Sequence, residues 1–403
     1  MESRGAAGPR GAPGRVLIVT PRWTRDGGVA AHAQASAVAL AEHGAEVFAL
    51  AASVHDGPSG IPAIASAGLF DSGAPMAERL AAAIELGPAV IHLHQVDDPE
   101  ILGALRELAP VVSSAHGYVA CTSGVHYFKP GQECPRAHGP GCVGNLVVRG
   151  CAHTRHVKKL PLRYRNATRA CNAFALADVA VSYSRTIDRH LAVNGVQRRA
   201  VVPLFPTMPA REGSGHAGRR RVVFAGRLVK PKGVDVLIRA ASLVDGEFVL
   251  CGEGRRLQAM RELARAQGVE GRVRFTGWLA PDALAQELAD ASVVAVPSVW
   301  PEPFGLVGIE ALAAGRPVVA SDTGGIGEWL THGVSGLAVA AGNVEQLAAA
   351  LGELLSDPQR QREMGLAGRQ DVSERYTPAR HVDALLAAYA SAREHWLAGG
   401  GRS

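Results

Sequence analysis

Short apolar segments rich in β-branched residues alternate with helical segments along this chain, and this alternation limits the fold more than any other feature. A strand that is apolar at nearly every position is buried on both faces, as happens when helices cover both sides of a parallel sheet. The strand-like segments of the first half are RVLIV (15–19), AEVFALA (45–51), AVIHLH (89–94) and PVVSSAH (110–116). Those of the second half are RRVVFAG (220–226), EFVLCG (247–252), RVRFTG (272–277), SVVAVPS (292–298) and RPVVASD (316–322). We therefore expect an α/β protein with two parallel sheets.

The two halves are separated by VVPLFPTMPAREGSGHAGRRR (201–221), which is rich in Pro, Gly and charge and has no helical period. Such composition is typical of a linker. The expected segments are a disordered tail (1–14), a first Rossmann-like domain (15–206), a linker (207–217), a second Rossmann-like domain (218–378) and a C-terminal helix (379–398). Thr377 and Pro378 are a typical helix start, and we expect this last helix to pack back toward the first domain. Two such domains form a ligand cleft where the carboxyl ends of their strands face each other.

The composition is that of an ordinary globular enzyme. The chain has 403 residues, of which 47% are hydrophobic and 20% charged, enough for two domains with their own cores. No apolar run approaches the roughly 18 residues that a membrane-spanning helix needs. The first 14 residues lack the apolar core of a signal peptide, and six cysteines in a chain this long do not suggest a secreted disulfide scaffold. We therefore expect a cytoplasmic protein.

Two cations flank a predicted strand exit in VVFAGRLVKPKGVDVLIRA (222–240). Arg227 follows the strand, and Lys232 stands immediately before the glycine that opens the next helix. Because backbone N–H groups at a helix N-terminus also favour an anion, these two side chains suit a diphosphate. An isolated Arg-x4-Lys pair is more often two solvated surface charges, and it is the position at a strand exit that favours a binding role.

Two carboxylates lie eight positions apart in PEPFGLVGIEALAAGRP (301–317). Glu302 belongs to the loop that leaves a predicted strand, and Glu310 lies just over one turn inside a helix that Gly315 closes. Carboxylates accept hydrogen bonds from vicinal hydroxyls, so a ribose and a hexose are suitable partners. The alternative is that Glu302 only complements the helix dipole and that Glu310 is a half-exposed helix residue.

Taken together, these segments resemble the family 4 retaining glycosyltransferases, within the glycosyl transferases group 1. The resemblance extends from Arg15 to about Leu397 and implies the GT-B fold, in which two Rossmann-like domains face each other across a cleft. The motifs that carry it are DGGVAAHAQASAVALAEHGAEVFALA (26–51), GRLVKPKG (226–233), CGEG (251–254), GWL (277–279), EPFGLVGIE (302–310) and SDTGGIGEWLTHGVSGL (321–337).

The resemblance also implies a role for each residue of the second-domain motifs. Arg227 and Lys232 would bind the diphosphate of a nucleotide sugar, with UDP the commonest nucleotide in the family and GDP next. Glu302 would contact the hydroxyls of the transferred sugar, and Glu310 the ribose. The backbone around Leu279 would face the base. The implied donor-binding residues are Gly27, Gly28, Arg227, Lys232, Leu279, Glu302, Phe304, Gly305, Leu306 and Glu310.

The implied reaction is transfer of the sugar to an acceptor hydroxyl with retention, without a cofactor and without a metal. Its implied catalytic residues are Glu302, Arg227, Lys232 and His116. His116 follows the strand PVVSSAH and would position the donor sugar; the alternatives are a catalytic base and a buried structural histidine. No Asp-x-Asp metal motif stands where the nucleotide sugar would bind. The implied acceptor is a glycan, a lipid-linked glycan or a small metabolite.

The segment 118–177 contains cysteines and a basic run that the motifs do not explain. Cys134, Cys142 and Cys151 are candidate metal ligands, but their spacing lacks any C-x2-C pair, and reduced cysteines beside the acceptor cleft are the alternative. The basic residues are Arg136, Arg149, Arg155, Lys158, Lys159, Arg163, Arg165 and Arg169. They suit an anionic acceptor, peripheral contact of residues 149–169 with the inner face of the membrane, or a solvated helix over 158–175.

Five other classes of protein are alternatives to the glycosyltransferase. A nucleotide-sugar epimerase on the same fold would need no acceptor, and a glycoside phosphorylase would need a pyridoxal-phosphate lysine. A non-catalytic nucleotide-sugar-binding protein would be expected to lack Glu302 or Lys232, which are both present. A nucleic-acid reader is disfavoured because only Tyr164 and Phe174 are interleaved with the basic run. A dinucleotide-dependent dehydrogenase is disfavoured because the first strand-turn lacks G-x-G-x-x-G.

Overall fold

The fold is seen in a computed structural model, and the residues that it describes form ten ranges. These ranges are 14–24, 27–58, 60–71, 73–122, 132–148, 151, 160–209, 211, 213 and 220–401. The predicted tail (1–14) lies outside them except for Gly14, and much of the predicted linker (207–217) lies outside them as well. Of the basic run, Arg149, Arg155, Lys158 and Lys159 also lie outside the described residues.

The first sheet has seven parallel strands in the order β3-β2-β1-β4-β5-β6-β7. Its strands are β1 (Arg15–Trp23), β2 (Glu46–Val54), β3 (Ala63–Ala65), β4 (Val90–His94), β5 (Val111–Ala115), β6 (Val179–Ser182) and β7 (Arg199–Val201). Its helices are α1 (Gly28–Glu42), α2 (Met76–Leu86), α3 (Pro99–Arg106), α4 (Gly141–Val148), α5 (Leu160–Leu176) and α6 (Arg185–Val193). The strand order reverses between β1 and β4, and such a reversal opens a crevice at the carboxyl ends of the strands.

The second sheet has six parallel strands in the order β10-β9-β8-β11-β12-β13. Its strands are β8 (Arg221–Ala225), β9 (Glu247–Cys251), β10 (Val273–Gly277), β11 (Val293–Val296), β12 (Val318–Ser321) and β13 (Gly336–Val339). The helices that follow are α7 (Val234–Ala241), α8 (Leu257–Ala266), α9 (Pro281–Ala289), α10 (Leu306–Ala313), α11 (Val344–Ser356), α12 (Pro358–Arg375) and α13 (Pro378–Ala398). Here the order reverses between β8 and β11.

All nine strand-like segments of the sequence form strands, so the predicted class of two parallel, helix-covered sheets is confirmed. The elements that sequence reasoning missed are short or lack apolar periodicity. Helix α12 packs on α10 through glycines and not through an apolar stripe. A Cβ atom on Gly365 would overlap the carbonyl of Gly315, and one on Gly368 would lie 2.6 Å from the side chain of Leu312.

Helix α5, which carries the described part of the basic run, is not fully solvated. Its Ala167, Ala170, Ala173 and Phe174 are buried, and the helix packs against α3. The apolar face of α5 is therefore already covered by α3, and the described arginines of α5 lie beside that face. No helix among the described residues is long and apolar enough to cross a bilayer.

Helix α13 returns to the first sheet. It begins as the sequence predicts, with Thr377 accepting a hydrogen bond from the Arg380 amide at 3.2 Å and Pro378 in the first turn. Farther along, Tyr389 is hydrogen-bonded to His92 at 2.8 Å, and the indole N–H of Trp396 donates to the Arg106 carbonyl at 2.6 Å. The end of the described chain is thus tied to the strands and helices of the first half.

A histidine cluster lies where α1, β4, β5 and α13 meet. It consists of His32, His92, His94, His116 and His381. The His94 and His116 rings are hydrogen-bonded at 2.9 Å, and Ser36 bridges His381 and His32 at 2.9 and 3.3 Å. Burial lowers the pKa of every member, to about 3 for His92 and His116 and to about 4 for His381. The cluster is therefore neutral at pH 7 and joins α13 to the first domain by neutral hydrogen bonds.

This burial predicts a loss of stability in acid. An unfolded histidine takes up a proton near pH 6.5, whereas the folded cluster resists protonation down to about pH 4, so the unfolded chain binds more protons between these values. The free energy of unfolding, measured by urea titration, should therefore fall as the pH is lowered from 6.5 to 4. His94→Gln keeps a hydrogen-bonding group but does not titrate, so it should reduce this slope by up to about 1.4 kcal/mol per pH unit. If the slope of unfolding free energy against pH is unchanged in His94→Gln, His94 is not a source of the acid sensitivity.

Candidate functional site

The loops after β8, β9 and β10 pack together through glycines at the carboxyl edge of the second sheet. A Cβ atom on Gly252 would overlap the carbonyl of Gly226, whose φ is 154°. The Gly252 amide donates to the Gly277 carbonyl at 2.8 Å. This contact explains why the CGEG and GWL motifs need glycine. It also brings Arg227, which is exposed, and Leu279, which is half-buried, to the same edge of the sheet.

A second close approach joins the loop of Lys232 to the end of β11. Gly233 has a φ of 66°, and a Cβ atom there would overlap the Pro297 carbonyl, so only glycine fits. The Val299 amide donates to the Pro231 carbonyl at 2.9 Å. The two loops on either side of the strand-order reversal are therefore held against each other.

Lys232, which is half-buried, and Glu302, which is buried, form an ion pair between these loops. The ammonium nitrogen of Lys232 lies 2.6 Å from one carboxylate oxygen of Glu302, and the other oxygen accepts hydrogen bonds from Ser298 at 2.7 Å and from the Trp300 indole at 2.8 Å. Glu302 is only 4% exposed. Burial by itself would raise the pKa of Glu302, but the Lys232 charge and these hydrogen bonds outweigh it and lower the pKa below its ordinary value. The carboxylate is thus held ionised inside the protein.

The loop of Glu302 is also fixed from its other side. The Gly325 amide donates to the Glu302 carbonyl at 2.7 Å, and a Cβ atom on Gly324, whose φ is 64°, would overlap that backbone. The indole N–H of Trp329 donates to the Phe304 carbonyl at 2.6 Å. The sequence motif SDTGGIGEW (321–329) indicated the family but no structural role of its own. The structure shows that it holds the loop that carries Glu302.

The start of α10 presents free backbone donors. Gly305 precedes the helix with a φ of 91°, a conformation that favours glycine. Within the described part of the chain, the amides of Phe304, Gly305 and Leu306 form no hydrogen bond. Phe304 itself is buried, and its ring packs edge-on against Tyr376 at 5.7 Å. Three N–H groups beside Glu302 therefore remain available to an anion.

Glu310 lies one turn into α10 and contacts the interdomain segment instead of Glu302. The Thr207 hydroxyl donates to its carboxylate at 3.1 Å, and the side chain is half-buried. Burial raises the pKa of Glu310 to about 7, although hydrogen bonds from Thr207 act in the opposite direction. Sequence reasoning placed Glu310 at the cleft but did not foresee Thr207, because a residue 103 positions away gives no local signal.

The first-domain candidates occupy different surroundings. Gly27, with a φ of 90°, precedes α1, and both Gly27 and Gly28 are exposed with no neighbouring atoms where side chains would be. His116 is half-buried at the edge of the histidine cluster, and its ring lies 4.8 Å from that of Tyr183. The low pKa of His116 suits a neutral imidazole that positions a group and does not accept a proton. Its contact with a sugar stays a prediction.

The two halves of the molecule meet beside the ion pair. The ring of Tyr118 from the first half packs edge-on against Trp300 at 6.0 Å, and Trp300 is the residue that donates to Glu302. Farther away, the Thr186 amide donates to the Glu328 carboxylate at 3.4 Å. Neither Tyr118 nor Trp300 was singled out from the sequence as a site residue.

The cysteines of the middle segment are not paired with one another. Cys134, Cys142 and Cys151 form no disulfide, and burial raises the pKa of Cys151 to about 11, with neighbouring thiols adding to the effect. Across the described residues, no group of three His, Cys, Asp or Glu side chains is arranged to hold a metal ion. His126 and His153, which lie near these cysteines in sequence, fall outside the described residues.

Comparison with known proteins places the chain in a family. The model of the family "Glycosyl transferases group 1" matches residues 210–371. A D-inositol 3-phosphate glycosyltransferase of Corynebacterium aurimucosum is 33% identical over 334 residues, which cover 78% of this chain and 74% of that protein. The chain belongs to the glycosyl transferases group 1. The family that the motifs indicated is therefore confirmed.

Other similarities within the group 1 glycosyl transferases are more local or concern the fold alone. A GDP-mannose-dependent α-(1-6)-phosphatidylinositol monomannoside mannosyltransferase of Mycobacterium tuberculosis is 40% identical over 169 residues, which cover 39% of this chain but only 44% of that protein. The crystal structure of Anabaena HepE in complex with UDP superposes with a TM-score of 0.68 at 18% identity, covering 94% of this chain and all of HepE. This likeness confirms the predicted GT-B fold.

The buried ion pair predicts a stability change that reverses in a double variant. Lys232→Met leaves the Glu302 carboxylate buried without its cation, so the free energy of unfolding at pH 7.5 should fall by about 3 kcal/mol. The pKa of Glu302 should then rise, and stability should partly recover as the pH is lowered and the carboxyl group takes up a proton. In Lys232→Met with Glu302→Gln, most of the lost stability should return at pH 7.5. Urea unfolding measures all three proteins, and equal instability of single and double variants would exclude a buried charge as the cause.

Proposed function

We propose that this protein transfers a sugar from a nucleotide diphosphate sugar to an acceptor hydroxyl, with retention at the anomeric carbon and without a metal ion. The observation that carries the proposal is the buried pair of Lys232 and Glu302 beside the free amides at the start of α10. A cation, an anion and several N–H donors within one fixed loop pair suit a substrate that joins a diphosphate to a polyhydroxylated ring.

Donor binding would divide the ion pair between two parts of the substrate. Lys232 and Arg227 bind the diphosphate, while the Glu302 carboxylate accepts hydrogen bonds from the sugar hydroxyls. The loop glycines hold both side chains in place before the donor arrives, so little reorganisation is needed. Such preorganised charges and N–H groups stabilise the negative charge that develops on the leaving phosphate.

The chemical step needs no general base from the protein. The acceptor oxygen forms a bond to the anomeric carbon while the bond from that carbon to the phosphate oxygen breaks, and the electron pair goes to the phosphate. The same phosphate oxygen takes the proton of the acceptor hydroxyl. The neutral, low-pKa state of His116 agrees with this scheme, since it would position the sugar and leave the proton to the phosphate.

The relatives also bear on which nucleotide and which acceptor the protein uses. The relatives point to different nucleotides, because the HepE structure contains UDP and the mycobacterial mannosyltransferase is named for GDP-mannose. We propose a UDP-sugar as the donor, with a GDP-sugar as the competitor in a thermal-shift comparison. The mycobacterial enzyme is named for phosphatidylinositol monomannoside and the Corynebacterium enzyme for D-inositol 3-phosphate, which fits an acceptor that is a small metabolite or is linked to a lipid.

Loss of either member of the ion pair should strongly reduce transfer while the protein remains folded. Glu302→Gln and Lys232→Ala should each lower kcat/KM by about 100-fold or more, because both groups act on the donor in the transition state. Lys230→Ala is the matched control, since Lys230 is exposed and lies in the same turn. Product release from a labelled nucleotide sugar measures the rate, with and without EDTA, and NMR gives the anomeric configuration of the product.

Near-normal turnover in Glu302→Gln or Lys232→Ala would refute this assignment. A product with inverted anomeric configuration would refute the proposed retention. Loss of activity in EDTA would refute the proposed independence of a metal ion. An epimerised sugar formed from the donor in the absence of any acceptor would indicate the epimerase instead.

The raised pKa of Glu310 predicts a pH dependence of donor binding. Ribose hydroxyls donate to a carboxylate, so binding should require the ionised form, which is fully present only above its pKa of about 7. The affinity for UDP-glucose, whose diphosphate does not titrate in this range, should therefore rise about tenfold from pH 6 to pH 8. Glu310→Gln should remove this dependence. Isothermal calorimetry checks both, and a pH dependence retained in Glu310→Gln would rule out Glu310 as its source.

A further inference from the structure

Two histidines of β4 contact residues of β5 by the same diagonal step. Successive residues of a strand point to opposite faces, so His92 and His94 lie on one face of the first sheet. The two strands pair in parallel, with His94 opposite Ser114. His92 reaches back to Ser114, with its Nε2 2.7 Å from the hydroxyl oxygen, and His94 reaches His116, with its Nδ1 2.9 Å from the Nε2 of that ring.

The contacts of His92 are complete. Its Nδ1 lies 2.8 Å from the Tyr389 hydroxyl, and its Nε2 is bonded to Ser114, which is bonded in turn to the Tyr183 hydroxyl at 2.7 Å. Each partner of the His92 ring is a hydroxyl, which can either donate or accept. This side of the cluster therefore ties α13 to the sheet without requiring one particular tautomer of His92.

The contacts of His94 are incomplete. His94 is fully buried, and its Nε2 has no hydrogen-bond partner among the described residues. The next residue, Gln95, has a φ of 57°, and it is the only non-glycine residue with a positive φ in the described part of the chain. An unpaired buried polar atom and a strained backbone both cost stability, and both occur preferentially at functional sites. Packing alone therefore does not explain a histidine at position 94.

The missing partner indicates which nitrogen of His94 carries the proton. Burial lowers the pKa of both His94 and His116, to about 3 for His116, so each ring is neutral at pH 7 and holds one proton. A proton on Nε2 of His94 would leave a buried N–H without an acceptor, which is rarer in proteins than an acceptor without a donor. With the proton on Nδ1, His94 donates to Nε2 of His116. The proton of His116 then resides on its Nδ1, because its Nε2 is an acceptor.

This second nitrogen of His116 is accessible to a ligand. The Nδ1 atom forms no hydrogen bond within the described chain and is not fully enclosed. His116 follows β5 at the carboxyl edge of the sheet, which is also the edge at which Gly27 and Gly28 follow β1. The Tyr183 ring lies 4.8 Å away at an angle of 36° and packs against the imidazole. Tyr183 and His94 therefore hold the ring from two sides while Nδ1 remains available.

We propose that His94 is a positioning residue, which donates its Nδ1–H to His116 and thereby fixes the His116 tautomer that presents an N–H group to an oxygen of the donor sugar. The inference rests on the proposed sugar transfer and adds a residue that the sequence did not single out. The Glu302 carboxylate only accepts hydrogen bonds, whereas this tautomer of His116 only donates one. A sugar hydroxyl does both, so the two groups address its proton and its lone pair separately.

Two-bond ¹H–¹⁵N correlation spectra of the full-length protein, with ¹⁵N-labelled histidine at pH 7.5, read the tautomers directly. In the wild type, His94 and His116 should both be protonated on Nδ1, and their signals are assigned from their disappearance in His94→Asn and His116→Gln. The carboxamide N–H of His94→Asn replaces the donor and should preserve the tautomer of His116. His94→Leu offers no donor, so the proton of His116 should be shared between its two nitrogens.

Kinetics with a nucleotide sugar separate positioning from stability. His94→Leu should lower kcat/KM by about tenfold or more, and His94→Asn should restore it to within about threefold of the wild type, because only the former misplaces the His116 donor. Tyr389→Phe is the matched control, since it removes a hydrogen bond from the His92 side of the same cluster. It should lower the stability without changing the tautomer of His116.

A wild-type His116 protonated on Nε2, or an unchanged tautomer in His94→Leu, would overturn the proposal. Equal losses of kcat/KM in His94→Leu, His94→Asn and Tyr389→Phe would also overturn it, because they would reflect the stability of the cluster. If His94→Leu does not fold, the spectra of the wild type and of His94→Asn still decide the tautomer. If the wild type transfers no sugar from any nucleotide sugar, the proposed function fails, and the same spectra still decide whether His94 fixes His116.

Discussion

The buried contact between Lys232 and Glu302 is the constraint around which the second half of the molecule is arranged. A carboxylate removed from water is tolerated only when it is paired and hydrogen-bonded, and the loop geometry supplies both conditions for Glu302. Ser298 and Trp300 complete the shell of the carboxylate. In the proposed reaction, the substrate would replace one set of polar contacts of this pair by another.

Glycine makes this arrangement possible. Gly233 and Gly324 allow two backbone segments to approach the loops of Lys232 and Glu302 more closely than any side chain permits. In the same way, the absence of a side chain at Gly252 lets the loops after β8 and β9 pack together. Repeated close approach at one edge of a sheet concentrates charged groups on rigid turns, and rigidity is what allows them to act without reorganising.

The first half of the molecule is tied to the second by a different kind of contact. Helix α13 returns to the first sheet, where the histidine cluster and Tyr389 hold it through neutral hydrogen bonds. Thr207, in the segment that joins the two sheets, contacts Glu310 of α10. These polar contacts add to apolar packing, because one buried cluster includes Leu204 and Phe205 of the joining segment together with apolar residues of both sheets. The Tyr118 and Trp300 rings meet next to the ion pair.

The sequence alone was sufficient for nine of the thirteen described strands, the two-sheet architecture, the cap of α13 and the family, because these depend on local apolar patterning and on motifs that are contiguous in the chain. It was not sufficient for α12, whose packing depends on Gly365 and Gly368 and leaves no apolar period. Nor could it pair Lys232 with Glu302, place Thr207 on Glu310 or join the rings of His94 and His116. Those features join residues that are tens of positions apart, and only the closure of the sheets decides which polar groups meet.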